Sequence, residues 1–372
     1  MQANWRYIHA SRNTYAILYA ACKKAGWDLN PVDGPSGQIT CYSLNSLNEP
    51  AYRQEIASAD CLTVVGGPHA TACPEEVAAY ADYVIVGEGE YTLPRLLTDL
   101  SNGGTGHIPG VMTGEWYVPA DTGVLLDAFP AFSDVKGYVE ITRGCPYACG
   151  YCQTPQIFGH CMRHRSIDEI ARYANRHAQS RFVSPNAFAY GSDGVRPRWE
   201  KVERLLRACN NQVFFGTFPC EVRPEFVCNE GLSLVSRFCT NTKIHFGAQS
   251  GSDAVLARLG RGHTVADVHR ALDLCGEYGF QPVVDFIVGL PFETDDDQRA
   301  TLDLIRHVAR VGTVHVHRFI PLPGTPLAEK PARSLLLETE KLCGELALSG
   351  KLTGSWDDPQ IRFLRRPSND IA

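Results

Sequence analysis

The sequence predicts an α/β protein built from two parts in tandem, a Rossmann-like open parallel sheet followed by a partial (β/α)6 barrel. Three observations predict it. Short β-type runs alternate with helical ones over the first hundred residues, a Gly-rich stretch at 102–110 interrupts the alternation, and the alternation resumes at Tyr138 for about six more units.

In the first part, residues 5–9, 39–43, 62–65 and 83–86 read as strands, and 14–25, 52–59, 74–81 and 92–100 as helices. Later strands are expected near 139–142, 182–190, 213–218, 244–249, 282–288 and 314–320. Six β/α units are too few to close an eight-fold barrel. They suit an open one, with chemistry at the carboxyl ends of its strands, where loops converge. The expected organisation is a first domain at 1–110, a linker at 111–136, the barrel at 137–330, and a C-terminal helix and tail at 331–372.

Composition narrows the function classes. The chain has 372 residues and a formal net charge of −6, so no global basic field draws in nucleic acid, although a local patch stays open. No apolar run reaches the roughly 18 residues that span a bilayer, and the opening residues lack the apolar core of a secretory signal. A cytoplasmic protein is expected. Fourteen cysteines spread over so long a chain point to reduced thiols and a metal site, not a disulfide framework. Ten of them, Cys73 included, stand apart and read as small buried hydrophobes.

The chemistry concentrates in Arg143-Gly144-Cys145-Pro146-Tyr147-Ala148-Cys149-Gly150-Tyr151-Cys152, directly after an expected strand. Three thiolates on one short loop clasp three corners of a [4Fe-4S] cluster, which normally takes four. The open iron can be chelated by the amino and carboxylate groups of S-adenosylmethionine. An electron from the cluster then cleaves the sulfonium and yields a 5′-deoxyadenosyl radical. The competing reading is zinc, with His160, His164 or Cys161 completing the set. Zinc ribbons, however, usually pair two Cys-x-x-Cys turns and do not sit at the end of the first strand of a β/α array.

Cys-x3-Cys-x2-Cys with Tyr151 before the last cysteine resembles the signature of the radical S-adenosylmethionine superfamily. That resemblance places Tyr151 near the adenine. The segments 245–253, 261–264, 284–294 and 321–326 are similar to stretches of methylthiotransferases and of radical enzymes with cobalamin domains. They imply polar cofactor contacts from Gln249, Ser250 and Arg261, and packing against adenine by Ile287 and Val288. Gly191-Ser192-Asp193 stands where family members often carry a Gly-Gly-Glu element that holds the cofactor's ammonium; the alternative is an ordinary turn with Asp193 as a cap. Glu221 and Arg223, after the third barrel strand, are further candidates.

Ahead of the barrel, Val64-Val65-Gly66-Gly67-Pro68-His69-Ala70-Thr71 and Val84-Ile85-Val86-Gly87-Glu88-Gly89-Glu90 resemble the cobalamin-binding domain that precedes many radical enzymes. By that resemblance Gly66, Gly67 and Gly87 line a crevice for cobalamin, His69 touches the corrin or caps a turn, and Glu88 lies beside the cofactor or faces the domain interface. The cobalt-ligating pattern Asp-x-His-x-x-Gly is absent, since His9 has Tyr7 and Arg12 at those places. A domain that keeps the fold without the cofactor is the alternative.

The expected function is thus a cobalamin-dependent radical methyltransferase acting on an unactivated centre. Its substrate would be a small molecule or peptide and its electron donor a flavodoxin or ferredoxin, with no membrane or nucleic-acid partner. The runner-up is a cobalamin-independent radical enzyme doing hydrogen abstraction for rearrangement, cyclisation or sulfur insertion. A transfer-RNA methylthiotransferase is third, because neither a second three-cysteine cluster nor a basic C-terminal module is present.

Overall fold

Hydrophobic strands separated by amphipathic helices fold, in the computed structural model, into two compact units; residues 1–130 and 138–357 are described. The first unit's sheet uses β1 (Gln2–Arg6), β2 (Asp28–Val32), β3 (Ile39–Ser43), β4 (Leu62–Gly66), β5 (Tyr83–Ile85), β6 (Val111–Met112) and β7 (Tyr117–Val118), in the order β2-β1-β3-β4-β5-β6-β7. The first five are parallel, and β6 and β7 add antiparallel pairs at one edge. Helices α1 (Arg12–Lys24), α2 (Glu49–Ala57), α3 (Pro68–Ala72), α4 (Pro74–Ala78) and α5 (Gly89–Ser101) connect the strands.

Strand alternation supplies both faces of this sheet with core. Cys41 and Val64 pack with Trp5, Tyr15, Leu93 and Leu97 on one side, and Tyr42 and Val65 with Ile56, Val77 and Val84 on the other. Three elements differ from expectation. Strand β2 carries Pro31 and polar residues, which a sheet edge tolerates because no ladder partner needs the missing N–H. The expected linker from 111 opens with β6 and β7, which extend the sheet. The expected helix at 74–81 is the shorter α4, and an additional short helix, α3, precedes it, the two parted at Cys73 (φ −132°, ψ 56°) because the ring of Pro74 drives the preceding residue out of the helical region.

The second unit begins with β8 (Tyr138–Glu140) and β9 (Thr142–Arg143), followed by β10 (Arg163–His164), β11 (Gln179–Val183), β12 (Gln212–Phe214), β13 (Lys243–Gln249), β14 (Gln281–Val288), β15 (Thr313–Arg318) and β16 (Leu352–Ser355). Parallel sheets β12-β11-β8 and β13-β14-β15-β16 meet through a parallel bridge between Val222 and Phe246, while β9 and β10 pair antiparallel. The result is an open array, not a closed barrel. Its helices are α6 (Thr154–Phe158), α7 (Ile167–Ala174), α8 (Trp199–Ala208), α9 (Asn229–Phe238), α10 (Asp253–Arg258), α11 (Val265–Glu277), α12 (Asp295–Val311) and α13 (Leu337–Leu348).

The second barrel strand stops at Val183, short of the expected 190, and Ala187–Ala189 form a 3-10 turn after Pro185. Strand β16 lies in the tail, where no strand was expected; its pairing with β15 from Val314–Leu352 onward buries Leu352. Alternation along β14 matters most for the site. Val284, Phe286 and Val288 are buried, whereas Asp285 and Ile287 lie on the opposite face of the strand. Among the described residues no helix is long and apolar enough to cross a membrane.

Candidate functional site

The cysteine loop leaves the end of β9 under firm local restraint. Arg143 donates from Nε and Nη2 to the two carboxylate oxygens of Glu140, each at 2.9 Å, in a buried bidentate pair. The chain then turns at Gly144 (φ +85°), where a Cβ would stand 2.2 Å from the Cys161 carbonyl oxygen. Cys145 N–H donates to Gly159 O at 3.2 Å, Gly150 N–H to Leu259 O at 2.9 Å, and Leu327 N–H to Gly150 O at 3.1 Å. The loop is thereby tied to three other segments of the unit.

Cys149 is buried and Cys145 and Cys152 are half-buried. Burial pushes the Cys145 thiol up, and the neighbouring Cys149 and Cys152 add to it. The three sulfurs are not gathered around a single ion. Tetrahedral zinc–sulfur bonds would bring them to about 3.8 Å, yet among the described residues the one trio of such donor atoms within 4.8 Å of one another lies elsewhere, in the first unit. A wider body, such as a cluster with one iron per thiolate, suits the loop better. Cys161 is exposed.

Beside the cysteines stands Arg261. Its Nη1 lies 3.8 Å from Cys149 Sγ, Nη2 donates to Gly247 O at 3.1 Å, and Nε is buried with no partner. Gly247 makes this approach possible, since a Cβ there would stand 2.1 Å from Gln249 Nε2 and 3.0 Å from Arg261 Nη2. Gln249 itself has φ +66°, in the left-handed region, where the β13–β14 register shifts. Arg223 braces Arg261 from behind. It lies 3.4 Å over the Tyr147 ring, donates from Nε to Glu225 at 2.5 Å, and donates from Nη2 to the Arg261 carbonyl.

Glu221 and Asp285 meet across the strand ends as a carboxyl pair. Burial raises both, and the pair is hydrogen-bonded, so Asp285 is pushed up to about 9 by burial and by Glu221, with Arg261 pulling the other way. Raised in this way, the pair favours keeping a proton between its two carboxyls. Tyr151 and Ile287 pack with Leu259, Leu290 and Phe319 as an apolar patch. Asp285 was not singled out from the sequence, though its signal was there, a lone acid inside the apolar run of β14.

Several residues expected at the cofactor are engaged elsewhere. Asp193 is fully exposed, and its Oδ1 accepts from the N–H groups of Arg196 and Val195, each at 2.9 Å, which hold the carboxyl below its usual range. It caps a turn and does not reach inward. Gly191 and Ser192 belong to the same turn: Gly191 N–H donates to His164 Nδ1 at 3.2 Å, and His164 Nε2 donates to Ser192 O at 2.7 Å. Ser250 is fully buried against Thr301 Oγ1 at 3.1 Å. Val288 lines a small cavity with Gln298 and Thr301 of α12, on the face opposite Ile287, so the two cannot flank one adenine.

In the first unit, Gly66 and Gly67 lie packed against neighbouring strands. A Cβ on Gly66 would meet Ile85, and one on Gly67 (φ +101°) would lie 2.6 Å from Leu44 O. Gly87 (φ +88°) differs, with nothing within 4 Å of its Cβ position, and its N–H donates to Thr71 Oγ1 at 3.0 Å. Glu88 precedes α5 and accepts from Val124 N–H at 3.5 Å. His69 lies on α3, buried, with Nδ1 3.1 Å from Ser46 Oγ.

Residues 139–305 match the family model described as the Radical SAM superfamily. An uncharacterized protein of Methanopyrus kandleri is 24% identical over 83% of this chain and 72% of its own length. A tRNA-2-methylthio-N(6)-dimethylallyladenosine synthase of Geobacter sulfurreducens is 32% identical over 56% of this chain, which spans only 48% of that enzyme. Among solved structures, the radical S-adenosylmethionine methyltransferase TsrM of Kitasatospora setae, with cobalamin and [4Fe-4S] cluster bound, superposes with a TM-score of 0.70 at 16% identity, covering 88% of this chain and 77% of that one. The cobalamin-dependent S-adenosylmethionine radical enzyme OxsB gives 0.65 at 16% identity, covering 98% and 60%. The likeness covers residues of both units, so the fold of each is shared with those structures.

Proposed function

We propose, from the match of residues 139–305 to the Radical SAM superfamily, that Cys145, Cys149 and Cys152 hold a [4Fe-4S] cluster and that the chain is a cobalamin-dependent methyltransferase acting on an unactivated centre. When bound, the cluster supplies the electron that cleaves S-adenosylmethionine, and cobalamin supplies methyl-transfer chemistry. The observation that carries the reading is the cysteine loop at a strand end with the Arg261 guanidinium beside it, its Nε buried and unpartnered.

The chain's own groups fit the cofactor's parts. Arg261 offers a fixed cation to a carboxylate, and Gln249 an amide at the same strand end. Tyr151 and Ile287 give an apolar surface for adenine. Glu221 takes the role that Asp193 cannot fill: with Asp285 it forms an acidic pair that releases its shared proton when an ammonium group approaches. In the first unit, cobalamin is assigned to the loops after β4 and β5, at the carboxyl end of a parallel sheet, with Gly87 giving room. The substrate is proposed to be a small molecule or peptide, and the electron donor a flavodoxin or ferredoxin.

Calorimetry on cluster-loaded protein tests the ammonium assignment. Glu221→Gln should weaken S-adenosylmethionine binding roughly ten- to a hundredfold through loss of a charge-assisted bond. Asp193→Ala should leave the affinity unchanged, and the reverse pattern would return the ammonium to the 191–193 turn.

Anaerobic incubation with S-adenosylmethionine, a reductant, cobalamin and cell extract, read by mass spectrometry, tests the reaction. S-adenosylhomocysteine together with a product heavier by one methyl group is expected. The 32% identity to a methylthiotransferase favours one second reading, which a gain of a methylthio group would establish instead. Failure to take up cobalamin, with 5′-deoxyadenosine still formed, would favour cobalamin-independent hydrogen abstraction.

A further inference from the structure

We infer that the junction of α3 and α4 in the first unit binds a divalent transition-metal ion of the zinc type through His69 Nε2, Cys73 Sγ and a Glu76 carboxylate oxygen. One nitrogen, one sulfur and one oxygen from these residues lie within 4.8 Å of one another. The geometry follows from local sequence. Pro68 and Pro74 start two helices, and Cys73 is the joint between them, its N–H donating to His69 O at 2.8 Å and its carbonyl accepting from Val77 N–H at 3.2 Å. Cys73 follows the last turn of α3, which carries His69, and Glu76 lies in the first turn of α4, so the joint keeps the three donors together.

A second, independent observation points to a ligand. His69 is only 6% exposed, its Nδ1 is engaged with Ser46 Oγ at 3.1 Å, and its Nε2 is buried with no partner. A proton on Nδ1, donated to Ser46, leaves Nε2 as a bare acceptor. This is how a metal-ligating imidazole is held, with its far nitrogen fixed by an outer partner. The backbone is fixed as well, because His69 N–H donates to Leu44 O at 3.1 Å and Gly67 leaves no room for a Cβ against Leu44.

The donor set suits the ion. Thiolate and carboxylate balance its two charges, the imidazole stays neutral, the thiol proton leaves for solvent, and water completes a tetrahedral shell. One sulfur and one nitrogen exclude magnesium and calcium, which take oxygen. Glu76 is the exposed member of the set. The cation there now is Arg53, which donates to Glu76 and, at 2.7 Å, to Glu49. Arg53 therefore competes with the metal for Glu76.

The test uses full-length, cluster-loaded chain, whose cysteine loop is occupied by iron, and titrates Zn(II) against a chromophoric chelator with iron content checked in parallel. Wild type should retain one zinc per chain. Cys73→Ser and His69→Gln should weaken it by on the order of a hundredfold with iron unchanged. Arg53→Gln should tighten it, a gain that misfolding cannot mimic. No zinc retained by wild type, or equal affinity in Cys73→Ser, overturns the assignment. So does loss of aquacobalamin uptake in His69→Gln with zinc binding intact, which would make His69 a corrin contact.

Discussion

Alanine at Cys145, Cys149 or Cys152 is expected to abolish both the brown cluster absorption and all cleavage of S-adenosylmethionine. Each thiolate is proposed as a direct iron ligand, and a cluster held by two protein thiolates has lost one of its three corners. The loss should be local. The loop is held by backbone bonds to Gly159, Leu259 and Leu327 and by the Arg143–Glu140 pair, none of which uses a sulfur. Far-ultraviolet circular dichroism should therefore stay the same while iron content falls. Cys161→Ala should keep both iron and activity, because that thiol is exposed. Iron lost from the Cys161 variant alone, with any of the other three still loaded, would refute the ligand set.

The second large effect is on stability against pH. Asp285 has its folded-state pKa raised to about 9 by burial and Glu221. A carboxyl raised on folding binds more protons in the native state than in the unfolded one across the interval between its ordinary value near 4 and about 9. Stability supplied by the protonated pair is thus complete at the acid end of that interval and falls as pH rises through it, by up to about 1.4 kcal/mol per pH unit for one proton. Asp285→Asn removes the titrating group and keeps a hydrogen-bonding side chain beside Glu221. In anaerobic urea unfolding of the cofactor-free chain, the variant should show a flatter pH dependence between pH 6 and 8.5 and gain on wild type at the alkaline end. Parallel curves would mean that the pair does not share a proton.

These two predictions rest on different depths of reading. The cysteine loop was legible because its spacing is local and its position after a strand follows from alternation alone. The α/β class was legible for the same reason, and β3, β4 and β13 fall where period and composition place them. What failed depended on position in the sheet. Strand β2 carries a proline that only an edge permits, and β16 lies in a tail whose pairing with β15 depends on a long return of the chain.

The site beyond the cysteines was decided by tertiary structure. Asp193 and Glu221 were both acids after barrel strands, and no pattern separated the one that caps a surface turn from the one that meets Asp285. Ile287 and Val288 are adjacent apolar residues, and only the face of β14 that packs on α12 tells them apart. Cys73 read as one more small buried hydrophobe until the break at Pro74 set its sulfur beside His69 and Glu76. By itself the sequence determined the class of fold and the three candidate iron ligands, because periodicity and spacing act over a few residues. Which distant side chains share a proton, flank a guanidinium or converge on an ion was decided by strand register and helix packing, which join residues far apart in the chain.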